Sequence, residues 1–157
     1  MAATFKAAFA EAGYALKNQR QDWSALRDDG RVALTIWRDQ IDRSSEPWLY
    51  GPKFGDPAIW SDKPGNLLRI AHLQHVVETG QTEIDLILCE AVDTDAEPRK
   101  IKVARHWWQR IGVLRPDTLD PQLGTFELEL RPTKAAEAAA AKSKAKAVAG
   151  TTAKARK

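Results

Sequence analysis

Residues 23–37 read WSALRDDGRVALTIW, and the fold turns on how they pair. Two alternating runs flank Asp28, Asp29 and Gly30, a strong hairpin signal because Asp and Gly supply the backbone geometry that returns one strand along the next. Loop length sets which side chains share a face, since a slip of one residue moves them across the sheet. A two-residue Asp29-Gly30 turn would put Trp23 with Leu34 and Ile36, and Trp37 opposite. A three-residue loop with Gly30 in the left-handed bulge position pairs Leu26 with Val32, Ala25 with Ala33, Ser24 with Leu34 and Trp23 with Thr35. The second register is preferred because it gathers Leu26, Val32, Leu34 and Ile36 for a core. Its other face carries Trp23, Ala25, Ala33, Thr35 and Trp37, two indoles around a floor of small side chains.

On the N-terminal side, residues 4–12 place Phe5, Ala8, Phe9 and Ala12 at helical spacing, with Thr4 as N-cap and Gly13 past the end. On the C-terminal side, residues 42–63 hold three Pro, two Gly, Trp48, Tyr50, Phe54 and Trp60 without helical or strand periodicity. A loop of that length is often functional, and its aromatics either anchor it to the core or line a pocket. Ser61 or Asp62 caps, and Pro64 begins, a helix through Leu67, Ile70, Leu73 and Val77 that Gly80 ends. Residues 82–92 (TEIDLILCEAV) form a strand apolar on both faces, therefore central. Residues 100–104 (KIKVA), 106–114 (HWWQRIGVL) and 125–131 (TFELELR) follow as further strands. The expected fold is α+β, a mostly antiparallel sheet of five to six strands with two helices in a single domain over 1–132.

Charge divides the chain of 157 residues. The stretch 133–157 has seven basic residues and one acid, net +6, whereas 1–132 has 17 basic against 20 acidic, net −3. The stretch 133–157 is Ala- and Lys-rich, has no apolar face to bury, and reads as a disordered basic tail. Such tails hold polyanions by releasing counterions. No apolar run approaches the roughly 20 residues that cross a bilayer, and the first residues lack the pattern of a secretory leader, so a cytoplasmic location with no membrane partner is expected. The single Cys89 excludes an internal disulfide and a multi-thiolate metal site.

Catalytic signatures are missing. His72, His75 and Glu78 recur at three-residue spacing, but the HExxH of zinc peptidases is absent, and two histidines on the outer side of a helix read as surface residues. No P-loop, Rossmann glycine pattern or nucleophile elbow occurs, and Cys89 lies in the most apolar strand, where a thiol is inert. Metal-dependent hydrolysis through Asp39 and His72 is the weakest reading. Enzyme readings are left open but unsupported, and no metal or cofactor is expected.

For binding, the signal is the interleaving of aromatic and basic side chains. Trp23, Trp37, Arg38, Asp39 and the loop residue Trp60 would line a flat-walled site with faces for stacking and edges for hydrogen bonding. Arg105, His106, Trp107, Trp108 and Arg110 form a second cluster; strand alternation buries one of the two adjacent indoles and leaves Trp108 as a platform. Lys142, Lys144, Lys146, Lys154, Arg156 and Lys157 would grip phosphates. The segments WSALRDDGRVALTIWRDQI, NLLRIAHLQHVVETG and EPRKIKVA resemble a group of small bacterial domains that occur alone or beside restriction-type nucleases. That resemblance, over about residues 14–130, implies DNA-related or defence-related recognition and no catalytic residue. The expected function is nucleic-acid recognition, with DNA as partner. The alternative is a protein-interaction adaptor that uses the aromatic loop.

Overall fold

The computed structural model describes residues 5–17, 22–51, 63–81, 83–95 and 100–143. The hairpin forms in the three-residue register: strand β1 (Ser24–Leu26) meets β2 (Val32–Trp37) with Ser24 opposite Leu34, Ala25 opposite Ala33 and Leu26 opposite Val32. Gly30 takes φ +88°, a conformation that costs a residue without Cβ little. Helix α1 (Phe5–Glu11) precedes it and buries Ala8 and Phe9.

Two short strands follow β2, namely β3 (Ile41–Asp42) and β4 (Trp48–Tyr50), then helix α2 (Pro64–Thr79). The N-cap of α2 is Lys63, Pro64 starts it, and Gly80 closes it at φ +72°. The caps expected at Ser61 and Asp62, and at Thr4 for α1, lie outside the described residues. Strand β5 (Glu83–Ala91), the 14-residue β6 (Ile101–Leu114) and β7 (Leu128–Pro132) complete the sheet in the order β1-β2-β5-β6-β7-β4-β3.

Three expectations are corrected. The sheet has seven strands rather than five or six; it is mostly antiparallel as expected, with one parallel pair, β2 and β5, in which Ala33 lies opposite Asp85 and Trp37 opposite Cys89. The connection between them passes through α2, as a parallel pair requires a crossover. The segments 100–104 and 106–114 are one strand rather than two. Finally, a third helix, α3, occupies 134–143, where composition suggested a disordered tail from 133; residues 144–157 lie outside the described residues.

Chain length forces the sheet to roll. Trp37 and Ile41 are four residues apart, a reach of at most about 14 Å. On a flat sheet β2 and β3 would stand five strand spacings apart, about 24 Å. The two ends therefore curl together, and Tyr50 of β4 closes the gap: its hydroxyl accepts from the Trp37 backbone N–H at 3.2 Å and donates to Gln40 Oε1 at 3.2 Å. Inside the roll, Val32, Leu34, Ile36, Leu86, Leu128 and Leu130 pack with Tyr50, Phe126 and Trp107, and Leu73 and Val76 of α2 close the cluster. Outside it, Phe9 and Ala8 of α1 cover Ala33, Ile87, Cys89 and Ala104. Asp85 on that outer face joins the N-terminal segment to the sheet, receiving the Tyr14 hydroxyl at 2.7 Å and two bonds from the Arg31 guanidinium at 3.2 and 2.8 Å.

Candidate nucleic-acid interface

The two indoles of the hairpin do not share a face. Strand β1 begins at Ser24, so Trp23 stands outside the pleat that sets alternation, and its ring lies under the Arg69 guanidinium of α2 at 5.0 Å. Trp37, the last residue of β2, packs with the outer cluster beneath α1. The expected Trp23–Trp37 pocket is thus replaced by one indole on each side of the sheet. Arg38 pairs with Glu90 at 3.1 Å, both side chains being substantially exposed, and Asp39 is exposed at the end of the strand. Trp60 lies outside the described residues.

Helix α2 also corrects an expectation. His72 and His75 are half-buried rather than on the solvent side. His72 Nδ1 lies 2.6 Å from Ser24 Oγ, and burial pushes its imidazole below the ordinary value, with Lys17 and His75 acting the same way and Asp22 opposing. Ser24 is 1% exposed, so the Ser–His contact offers no nucleophile to solvent. Arg69 lies between the Trp23 and Phe126 rings, donates to Asn66 Oδ1 at 3.1 Å, and is pushed down to about 10 by burial. These groups fasten α2 to the sheet. Among the described residues no three His, Cys, Asp or Glu side chains converge as metal ligands.

The second cluster is built differently, around a break in β6. Its register against β5 advances from Ile87 opposite His106 to Asp85 opposite Ile111, so two steps along β5 correspond to five along β6. Three extra residues are thereby pushed out of the ladder, between His106 and Ile111. The residues flanking Trp108 and Gln109 both dock on Trp48 of β4. Trp107 stacks with it at 6.3 Å between centroids and 29° between planes, while the Arg110 guanidinium sits 3.9 Å from its centroid. Arg110 also donates to the Leu130 carbonyl and to Glu46, each at 2.7 Å, and Arg43 lies 4.8 Å from the Trp48 centroid. The loop aromatic Trp48 is therefore an anchor. Trp107 is buried and Trp108 is 45% exposed, the division expected from alternation. Arg105, on the side of the strand that carries Trp107, is exposed as well.

Thr133 joins this bulge to the basic segment. Its backbone N–H donates to the Gln109 carbonyl at 3.0 Å and its hydroxyl to the Trp108 carbonyl at 2.9 Å. The same hydroxyl accepts from the Ala136 N–H at 3.0 Å, capping α3. Lys134 and Lys142 are exposed on that helix, and Lys144, Lys146, Lys154, Arg156 and Lys157 lie beyond the described residues. Thr133 was not singled out from the sequence, although a Thr before an Ala-rich run is an N-cap signal. Its grip on the bulge has no local signature. No protein-family model matches the chain, and comparison with curated proteins and with solved structures finds no match either.

Proposed function

We propose that the protein is a nucleic-acid-binding module acting on DNA, with the folded domain presenting Trp108 at the β6 bulge and the segment from Thr133 onward supplying phosphate affinity. The observation that carries this reading is the Thr133 anchor, which starts the most basic part of the chain at the backbone of Trp108, the most exposed indole among the described residues. A net +6 segment rooted on a net −3 domain is a dipolar arrangement that steers a polyanion to the basic segment. Relative to the sequence reading, the aromatic contribution moves from Trp23 and Trp37 to Trp108, and Arg38 and Asp39 drop out of the contact. The resemblance to domains found beside restriction-type nucleases favours DNA over RNA.

Fluorescence anisotropy with labelled DNA and RNA at 50 and 200 mM salt tests this. If Lys144, Lys146, Lys154, Arg156 and Lys157 each neutralise one phosphate, affinity for duplex DNA falls about 500-fold between those salt concentrations. Changing all five to Ala removes most of that dependence. Absence of binding at 50 mM salt, or binding confined to RNA, contradicts the proposal. A second reading, a protein adaptor, rests on α2: Leu67 and Val77 are 55% and 42% exposed on an outer face that carries no Lys or Arg. Absence of nucleic-acid binding would turn attention to that face.

A further inference from the structure

The form of the ligand follows from which surface is aromatic and which is cationic. We infer that the folded domain binds single-stranded DNA by stacking an unpaired base on the Trp108 indole; the inference rests on the nucleic-acid reading above.

Three observations lead there. First, Trp108 is exposed while its backbone is fixed: the neighbours Trp107 and Arg110 are docked on Trp48, and the carbonyls of Trp108 and Gln109 accept from Thr133. A large ring held on a fixed backbone loses little conformational freedom when a ligand covers it. Among the described residues, no aromatic ring or guanidinium covers its face. Second, the long helix of the fold is unsuited to a duplex groove. The exposed positions of α2 are Pro64, Leu67, Ala71, Gln74, Val77, Glu78 and Thr79, with no cation among them, so α2 cannot pay the electrostatic cost of entering between two phosphate backbones. Third, α3, which carries the exposed cations Lys134 and Lys142, starts at the bulge itself through Thr133.

Paired bases already stack on both faces, and an indole on a strand bulge gains nothing from them without unstacking the duplex. An unpaired base presents a free face, and the gain from covering it is tolerant of sequence. The basic segment alone grips either form, so preference for the single strand belongs to Trp108.

The test titrates a labelled mixed-sequence single-stranded oligonucleotide and its duplex against the full chain and the variants Trp108→Ala and Trp108→Phe. Equal urea midpoints confirm that each variant is folded, as expected for an exposed side chain. The expected result is preference for the single strand, a loss of about 5- to 150-fold in single-strand affinity in Trp108→Ala, partial retention in Trp108→Phe, and unchanged duplex affinity. Equal binding of both forms, or a single-strand affinity unaffected by Trp108→Ala, overturns this inference and leaves the nucleic-acid reading standing. Absence of binding to both forms at 50 mM salt overturns the two together.

Discussion

Replacing Tyr50 by Phe removes one oxygen from the seam where the rolled sheet meets itself. Tyr50 is 1% exposed, and its hydroxyl is the acceptor for the Trp37 N–H and the donor to Gln40 Oε1, each at 3.2 Å. β4 and β2 are not neighbours in the sheet, so this hydroxyl ties together strands that the ladder does not. The ring of Phe fills the same space, leaving packing against Phe126 intact and isolating the polar contribution. A buried group that loses its hydrogen-bond partner costs about 1–3 kcal/mol. Both bonds are at the long end of the range, and Gln40 is only half-buried and open to water, so the expected loss is about 1–2 kcal/mol. For a chain of this size that lowers the melting temperature by about 2–8 °C. Urea unfolding followed by Trp fluorescence reads the loss as a lower midpoint at unchanged slope, because the change in exposed area is the same for both proteins. A Tyr50→Phe midpoint indistinguishable from that of the parent means that the hydroxyl does not hold the seam, and the account of the roll is then wrong.

Other expectations address separate parts of the fold. Gly51 has φ +122°, and a Cβ there would fall on the Phe126 carbonyl oxygen, so Gly51→Ala is expected to cost more than about 3 kcal/mol in urea unfolding; near-neutral behaviour would contradict the β4–β7 packing. His72 is held below its ordinary value of 6.5, so the neutral form is favoured on folding. Its contribution to stability is present above about pH 6.5 and is lost as pH falls below the unfolded-state value. Urea midpoints from pH 7.5 down to 5 are expected to decline less steeply in His72→Gln than in the parent, and equal slopes would contradict the placement of His72 beside Ser24. Burial pushes the Cys89 thiol up, so iodoacetamide at pH 8 is expected to leave the native protein unmodified and to label it in urea. Rapid native labelling would contradict the central position of β5.

Much of the architecture was legible where local patterns are long. The hairpin register followed from the turn chemistry of Asp28, Asp29 and Gly30, and the central position of β5 followed from its two apolar faces. The α2 stop at Gly80 followed from a glycine at the end of a periodic run. The missed elements are those whose determinants are short or distant. β3 and β4 span two and three residues, too few to show alternation, and they exist because β7 and the Tyr50 seam hold them. The parallel pairing of β2 with β5 joins residues about 50 apart and leaves no local trace. In β6 the ladder runs unbroken through Arg105, where the sequence was divided, and the three extra residues lie beyond it, between His106 and Ile111. Trp23 was misplaced because alternation was extended one residue past the end of β1. At the candidate interface, the exposure of Trp108 was readable, whereas the part played by Thr133 depends on a contact between β6 and the end of β7.

The most direct measurement compares Trp108→Ala with Trp37→Ala in binding to labelled single-stranded DNA by the full chain. Loss of affinity in Trp108→Ala, with Trp37→Ala equal to the parent, is the expected result. Loss in Trp37→Ala with Trp108→Ala unaffected would place the aromatic contact on the opposite part of the fold and contradict the interface described above.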